Sequence, residues 1–357
     1  MPEAAVAIIT RTKDRPLLLR RAVESVLGQT HTDWVHVIVN DGGDPAAVEQ
    51  VVAPHAERYA GRLVRVDNPQ SLGMEAASNR GIAASTSRYL VIHDDDDSWD
   101  PAFLEKMTAL LETSRPPVAG AICHSVLVHE AIESESVKEQ RREDFNASLL
   151  AVPLAQMAVR NLFPPISFLF QRAALEAAGP FREELPVLGD WDFNLRFLRD
   201  HDIAVLPEKL AFWHHRVAAA EGGYANSVLG GALSHASYDA AIRNQLLRED
   251  LEKGRVGLGF LVNFGTAVRD EIHASAPGSL IEARAAPALR LIIDEARNKA
   301  QAAEIALQQS QQRQQTLETL AQDLNQRLEA VHRSTSWQVT APLRWAIRMA
   351  KRLTGRR

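Results

Sequence analysis

Four short apolar runs rich in β-branched residues, Val6–Thr10, Val35–Val39, Leu63–Val66 and Tyr89–Ile92, are bounded by polar or turn residues and predict buried strands. Between the first two, Leu17, Leu18, Ala22, Val26 and Leu27 recur at helical spacing, with Arg20, Arg21 and Glu24 on the opposite face. After the third, Asn68-Pro69-Gln70-Ser71 predicts a turn, with Ser71 as the N-cap of a helix running to Gly81. This alternation over residues 4–124 is the pattern of a largely parallel sheet covered by helices, whose ligands gather outside the carboxyl ends of the strands. Polar residues stand at three of those ends: Thr10 and Arg11, Asn40-Asp41-Gly42-Gly43, and Asp94-Asp95-Asp96-Asp97.

Residues 125–165 are mixed in pattern and predict few elements. Order returns with a strand at Ile166–Phe170 and a turn at Gly179-Pro180-Phe181. Gly189-Asp190-Trp191-Asp192 then leads into a helix carrying Phe193, Leu195, Phe197 and Leu198, with Asp190 near its N-terminus, where the dipole favours a carboxylate. Ile203–Leu206 and Leu210–Trp213 read as two strands before His214-His215-Arg216. From about residue 290 the chain turns rich in Ala, Gln and Glu. One heptad seam holds Ile293, Ala300, Leu307, Gln314, Ala321 and Leu328, the other Ala296, Ala303, Ser310, Leu317, Leu324 and Val331. That pattern suits a weak coiled coil or a helix packed on its own body or a partner. The last segment interleaves Trp337, Leu343, Trp345, Ile347, Met349 and Leu353 with Arg344, Arg348, Lys351, Arg352, Arg356 and Arg357, without an acidic residue. Such a tail suits an anionic membrane surface, each basic residue near it contributing about 1 kcal/mol, or a solvated helix end.

The 357 residues are 46% hydrophobic and 24% charged, ordinary for a globular protein and enough for one core domain plus an appendage. A net charge of −5 argues against a nucleic-acid partner. The single cysteine, Cys123, forbids an intrachain disulfide and suits a reducing cytoplasm. Neither a signal peptide nor a stretch long enough to cross a bilayer is present, so membrane contact is expected to be peripheral, on the inner face of the plasma membrane.

The carboxylate run carries the chemistry. Neighbouring carboxylates about 6 Å apart repel by roughly 2–3 kcal/mol per pair at an effective dielectric of 20, unless a hard divalent cation is shared or water and salt screen them. Glu105 lies twelfth from Asp94, but the sixth position is Trp99 where an EF-hand needs Gly, and a strand precedes the run. No Walker A or Gly-x-Gly-x-x-Gly loop accompanies it, which leaves a metal as the counter-charge for phosphate.

The order of motifs resembles a family-2 glycosyltransferase with the GT-A fold, and the closing Ser336-Trp337…Thr340-Ala341-Pro342-Leu343-Arg344 resembles a tail found on bacterial surface-polysaccharide glycosyltransferases. Ala7-Ile8-Ile9-Thr10-Arg11 is similar to the family's first strand and Leu19 to Trp34 to its first helix. Val39-Asn40-Asp41-Gly42-Gly43 is similar to Val-Asp-Asp-Gly-Ser, with Asn in place of the first Asp. Asn68 to Ile82 resembles the Asn-x-Gly…Asn-x-Gly-Ile segment, and His93 to Pro101 the D-x-D region. Gly189-Asp190-Trp191-Asp192 through Arg196 resembles Glu-Asp-Trp-Asp…Leu-Arg, with Gly189 replacing the usual Glu. The resemblance covers about residues 4–216.

It implies a GT-A type (Rossmann-like) mixed, mainly parallel α/β sheet flanked by helices, with a helical C-terminal extension. The expected boundaries are 1–225 for the glycosyltransferase domain, 226–289 for a helical extension, 290–333 for a long helix and 334–357 for the basic tail. It implies a nucleotide-diphosphate sugar donor, a glycan or lipid-linked glycan acceptor, and a divalent metal (Mn2+ or Mg2+). Asp96 would bind the metal, Asp94 and Asp95 would orient metal or donor ribose, and Asp97 would support them. Asp41 would accept a hydrogen bond from the nucleobase, with Thr10 and Arg11 beside it. Asp190 would be the general base of an inverting reaction, and Asp192 would pair with Arg196. His215, rather than His214, would reach metal or phosphate. The competing expectations are a non-catalytic nucleotide-sugar-binding scaffold recruited through its C-terminal helix, and a nucleotidyltransferase, which Thr10-Arg11-Thr12-Lys13-Asp14-Arg15 disfavours for want of Gly. A homo-oligomer is the remaining partner expectation.

Overall fold

The computed structural model describes residues 4–133, 136–216, 232–254, 256–275, 312–313, 315, 318–320 and 322–354. The chain divides into two compact units, Met1–Ile272 and His273–Arg357. In chain order the first unit contains β1 (Val6–Thr12), α1 (Pro16–Leu27), β2 (Trp34–Asp41), α2 (Pro45–Val52), α3 (Ala56–Tyr59), β3 (Leu63–Asn68), α4 (Met74–Ala83), β4 (Tyr89–Asp94), β5 (Ser98–Trp99) and α5 (Phe103–Thr113). It continues with β6 (Gly120–Glu133), β7 (Ser136–Asp144), α6 (Leu154–Val159), β8 (Phe168–Gln171), α7 (Arg172–Ala178), α8 (Gly189–Asp200), β9 (Ile203–Arg216), α9 (Ala232–Glu252) and α10 (Leu258–Ser275).

Among the described residues one sheet runs β3-β2-β1-β4-β8-β6-β9-β5, with β7 paired to β6. The four N-terminal strands are parallel. β1, β2 and β4 are near-continuous apolar runs because both faces are covered, whereas β3, at the sheet edge, is half-buried. One face packs Ala7, Ile9, Val37 and Ile92 under α4 and α8, and the other packs Val6, Ile8, Ile38 and Val91 under α1, α2 and α5. In α1, Leu18, Leu19, Ala22, Val23 and Val26 are buried, the larger of them each worth about 1.5–3 kcal/mol. Parallel register sets Arg11 beside Asp94 and Asp41 beside Asn68, so the polar strand ends share one edge.

Three local expectations change. Ser71 is not a helix cap: its hydroxyl donates to Asp41 (2.8 Å), and Gly73, at φ 98°, stands at the start of α4 instead. The carboxylate at the end of β2 is the stronger acceptor and draws the turn towards itself. The segments Ile203–Leu206 and Leu210–Trp213 form a single strand, β9, whose register on β6 shifts at Cys123 to Ser125, opposite Pro207, which has no N–H to donate. Residues 125–165, patternless in sequence, hold the long β6–β7 hairpin and α6.

In the second unit Ser334 caps α11 (Thr335–Val339) by accepting from the Trp337 N–H (3.3 Å), and Arg344 lies 3.6 Å over the Trp337 ring. In α12 (Ala341–Thr354), Leu343 (66%), Trp345 (63%), Ile347 (53%) and Met349 (42%) are solvent-exposed within their unit. The seam positions Ile293, Ala296, Ala300, Ala303, Leu307, Ser310, Gln314, Leu317 and Ala321, and the tail's Arg356 and Arg357, lie outside the described residues. No described helix is long and apolar enough to cross a membrane.

Candidate active site

The carboxylate run begins at the last residue of β4. The chain turns at once, Asp97 N–H donating to the Asp94 carbonyl (3.2 Å), and enters β5, which pairs with β9. Trp99 fixes that turn by stacking on Phe103 at 4.4 Å and donating its indole N–H to Ile166 (2.7 Å). The backbone thus holds four carboxylates close together, and arginines from elsewhere answer them. Arg11 pairs with Asp94. Arg15 pairs with Asp95 at 2.5 Å and lies 3.6 Å from Asp96. Arg216 pairs with Asp96 and donates to Glu130 at 3.1 Å. Arg21 pairs with Glu130 and donates to the Asp96 carbonyl.

The protonation of the run divides accordingly. Burial works against ionisation of Asp96, but Arg15, Arg216 and Arg21 hold its carboxyl below the ordinary value. Burial raises Asp95 to about 6 despite Arg15. Asp97 is pushed far up by burial and by Asp96 and Asp94, and accepts from the His214 N–H (2.8 Å). Glu130 is the hub of the far side: although burial opposes it, His214 and Arg21 bring it down to about 2, and Arg216 also donates to it.

The two histidines at the end of β9 face differently. His214 is engaged at both ring nitrogens, with Ser98 Oγ (2.9 Å) and with Glu130. His215 packs edge-on to Trp213, its ring is lowered to about 4 by burial with Asp96 pulling the other way, and its buried Nε2 has no hydrogen-bond partner among the described residues.

Asp190 stands in the first turn of α8 after Leu188, which takes the left-handed conformation at φ 64°. Asn161 donates to Asp190 Oδ2 (2.7 Å) and itself accepts from Asn194 (3.1 Å), which orients the carboxylate. Burial, only partly offset by the Trp191 N–H and Arg11, raises its carboxyl above the ordinary value. Asp192 pairs with Arg196 (2.9 Å) and Arg182 (3.3 Å). A cavity of about 250 Å³ has Asp190, Arg11, Asp94, Asp96, Trp213 and Glu75 in its wall, which brings the carboxylate run and Asp190 to one space.

Two expected residues stand differently. Thr10 is fully buried and its hydroxyl meets His36 Nε2 (2.8 Å) while His36 Nδ1 meets the Tyr59 hydroxyl, so the Thr10 side chain serves the core. Thr12, at the strand end, reaches Asp95 (2.7 Å) instead. Asp41 receives four donors: Asn68 Nδ2 (2.8 Å), Ser71 Oγ (2.8 Å), Leu72 N–H (2.9 Å) and Gly73 N–H (3.0 Å). Those four occupy the acceptor capacity of a carboxylate. Gly42, at φ 77°, makes the turn feasible, since a β-carbon there would collide with the Gln70–Ser71 backbone. Sequence reasoning missed Arg15, Arg21, Glu130, Arg216, Asn161 and Glu75. Only Arg15 and Arg216 carried a signal, as charged neighbours of motif residues.

A parallel-sheet edge lined with carboxylates, extended by antiparallel strands, defines a GT-A type α/β protein, and residues 1–349 of S. aureus TarS share this fold (TM-score 0.52, 14% identity, covering 78% of this chain and 75% of that one). Residues 7–162 match the model of glycosyl transferase family 2, so this segment is a family-2 glycosyltransferase domain. Among curated relatives, the uncharacterized glycosyltransferase YwdF of Bacillus subtilis is 25% identical over 206 residues (57% of this chain, 71% of YwdF). The uncharacterized glycosyltransferase alr2836 of Nostoc is 28% identical over 179 residues (49% of this chain, 53% of alr2836). The chain thus spans about half to seven-tenths of these relatives' lengths.

Proposed function

We propose that the protein is an inverting glycosyltransferase that moves a sugar from a nucleotide-diphosphate sugar to a glycan or lipid-linked glycan acceptor in cell-surface polysaccharide synthesis. The observation that carries this reading is the meeting of Asp190 and the Asp94–Asp96 edge in one cavity of a family-2 domain. Asp190 accepts the acceptor hydroxyl's proton at Oδ1, while Asn161 holds Oδ2 and so fixes the carboxylate's angle. Its raised proton affinity suits a base at neutral pH better than an ordinary carboxylate would. Arg11 and Arg15 line the same cavity and place positive charge where a leaving diphosphate would develop its negative charge.

A divalent ion fits these residues in a limited way. Among the described residues no three His, Cys, Asp or Glu side chains converge as a metal group. Mg2+-like ions, however, are commonly held by one or two protein ligands and completed by substrate phosphates and water. Asp96 and His215 Nε2, which has no hydrogen-bond partner among the described residues, would supply such a pair, Asp94 and Asp95 staying with their arginines. The ion would neutralise the leaving diphosphate as a Lewis acid. Arg216, which shares Asp96, would have to yield part of that carboxylate to it.

The exposed apolar residues of α12, flanked by Arg344, Arg348 and Lys351, support a peripheral contact with an anionic membrane where a lipid-linked acceptor would lie. The test is release of nucleotide diphosphate from a panel of UDP-, GDP- and dTDP-sugars by wild type and Asp190→Asn. Release by wild type that falls in the variant, with nucleotide binding retained, supports the reading. Equal release by both removes Asp190 from the chemistry.

A further inference from the structure

The motif around Asp190 departs from the family pattern at one position: Gly189 stands where the family usually carries Glu. The space a side chain at 189 would use is already filled. A β-carbon built there would fall inside contact distance of Glu75 Cδ and Oε1, and 2.6 Å from Glu75 Cγ. Glu75 comes from the first turn of α4, on a different part of the chain, and delivers a carboxyl group to the place the missing side chain would have approached.

Glu75 as a whole residue is 5% exposed and lines the cavity shared with Asp190. Arg11, the nearest cation, directs its donors to Asp94, the Met74 carbonyl and Ser78 Oγ, and no hydrogen bond to the Glu75 carboxyl is found among the described residues. Burial, with Asp190 and Asp94 adding to it against Arg11, raises Glu75 to about 7. A carboxyl that faces a cavity without a protein partner leaves its hydrogen-bonding capacity to whatever fills that cavity.

We propose that Glu75 is a substrate-binding residue that hydrogen-bonds a sugar hydroxyl in this cavity, doing from α4 what a carboxyl at position 189 would do from α8. The proposal rests on the glycosyltransferase reading. The hydroxyl belongs either to the donor sugar or to the acceptor, and the two sources separate by experiment. A group placed to bond a hydroxyl discriminates strongly against its loss, because the partner is then left buried and unpaired.

The test compares wild type, Glu75→Gln, Glu75→Ala, Gly189→Glu and Glu75→Ala/Gly189→Glu. The readouts are Tm, calorimetric binding of UDP and GDP against UDP-N-acetylglucosamine and GDP-mannose, and nucleotide release from these donors. Glu75→Gln should cut turnover about 10-fold and Glu75→Ala about 100-fold, without loss of Tm or of UDP and GDP affinity. Weakened binding of the nucleotide sugar alone assigns the contact to the donor; unchanged binding with lost turnover assigns it to the acceptor. Gly189→Glu should lower Tm and turnover by collision, and the double variant should recover Tm and exceed Glu75→Ala in turnover. Active wild type with Glu75→Gln and Glu75→Ala within twofold of it, or a double variant no better than Glu75→Ala, overturns the role of Glu75 alone. Wild type that binds and turns over none of the donors overturns the glycosyltransferase reading and this role with it.

Discussion

Replacing Asp41 with alanine removes one acceptor from four donors at once, and the cost follows from where each donor then stands. Asn68 is buried and Leu72 is half-buried, so their N–H groups lose a charged partner without regaining water, at about 1–3 kcal/mol each. Ser71 and Gly73 are exposed and rehydrate, so each contributes closer to 0.5–1 kcal/mol, about the net worth of an ordinary hydrogen bond. The sum is about 3–8 kcal/mol. The four hydrogen bonds outweigh burial and lower the Asp41 carboxyl from its ordinary 3.8, so the stabilisation is fully present above that value and is lost as pH falls through the lower folded one. Urea unfolding followed by tryptophan fluorescence, at pH 7 and at successively lower pH, measures both effects. A loss below about 1 kcal/mol at pH 7, together with weakened nucleotide binding, would show that Asp41 serves the nucleobase rather than the turn, and would refute the reasoning.

Four further outcomes follow. Asp190→Asn should lower turnover by about 10²–10⁴-fold with nucleotide affinity intact. In wild type, turnover should rise with pH through a value above the ordinary carboxylate range, since Asp190 acts ionised and burial raises it; an inflection at or below 3.8 contradicts this. Arg216→Met leaves Asp96 and Glu130 without their shared cation and should cost about 3–5 kcal/mol in urea unfolding, with Glu130→Gln in the same chain recovering part of it. Trp345→Asp/Ile347→Asp should release the protein from vesicles containing phosphatidylglycerol in a co-sedimentation assay while leaving nucleotide binding unchanged; equal sedimentation excludes α12 as the contact.

The parallel half of the fold was legible because buried parallel strands are near-continuous apolar runs, and Val6–Ile9, Val37–Val39 and Leu90–Ile92 are such runs. The β6–β7 hairpin was not. Of Ser136–Asp144 only Val137 is half-buried, and the strand exists through its pairing with β6 rather than through a pattern of its own. The site divides along the same line. Asp94–Asp97 and Asp190 belong to local motifs, whereas the Glu130–Arg216 pair arises from the β6–β9 register, which places residues far apart in sequence side by side. Thr10 fails for a local reason: its neighbour Arg11 turns to the face of α4 and Asp94, while Thr10 turns to His36 and the opposite core. The exchange of a carboxyl between positions 189 and 75 was half visible, as a glycine where the family has glutamate.

The central claim, that the Asp94–Asp96 edge receives a nucleotide diphosphate, is tested most directly by calorimetric titration of UDP, GDP, dTDP and CMP with and without Mn2+, on wild type and Asp96→Ala. Metal-dependent binding of one nucleotide, lost in the variant, is the predicted result and identifies the donor's carrier. Failure of well-folded wild type to bind any of them contradicts the account.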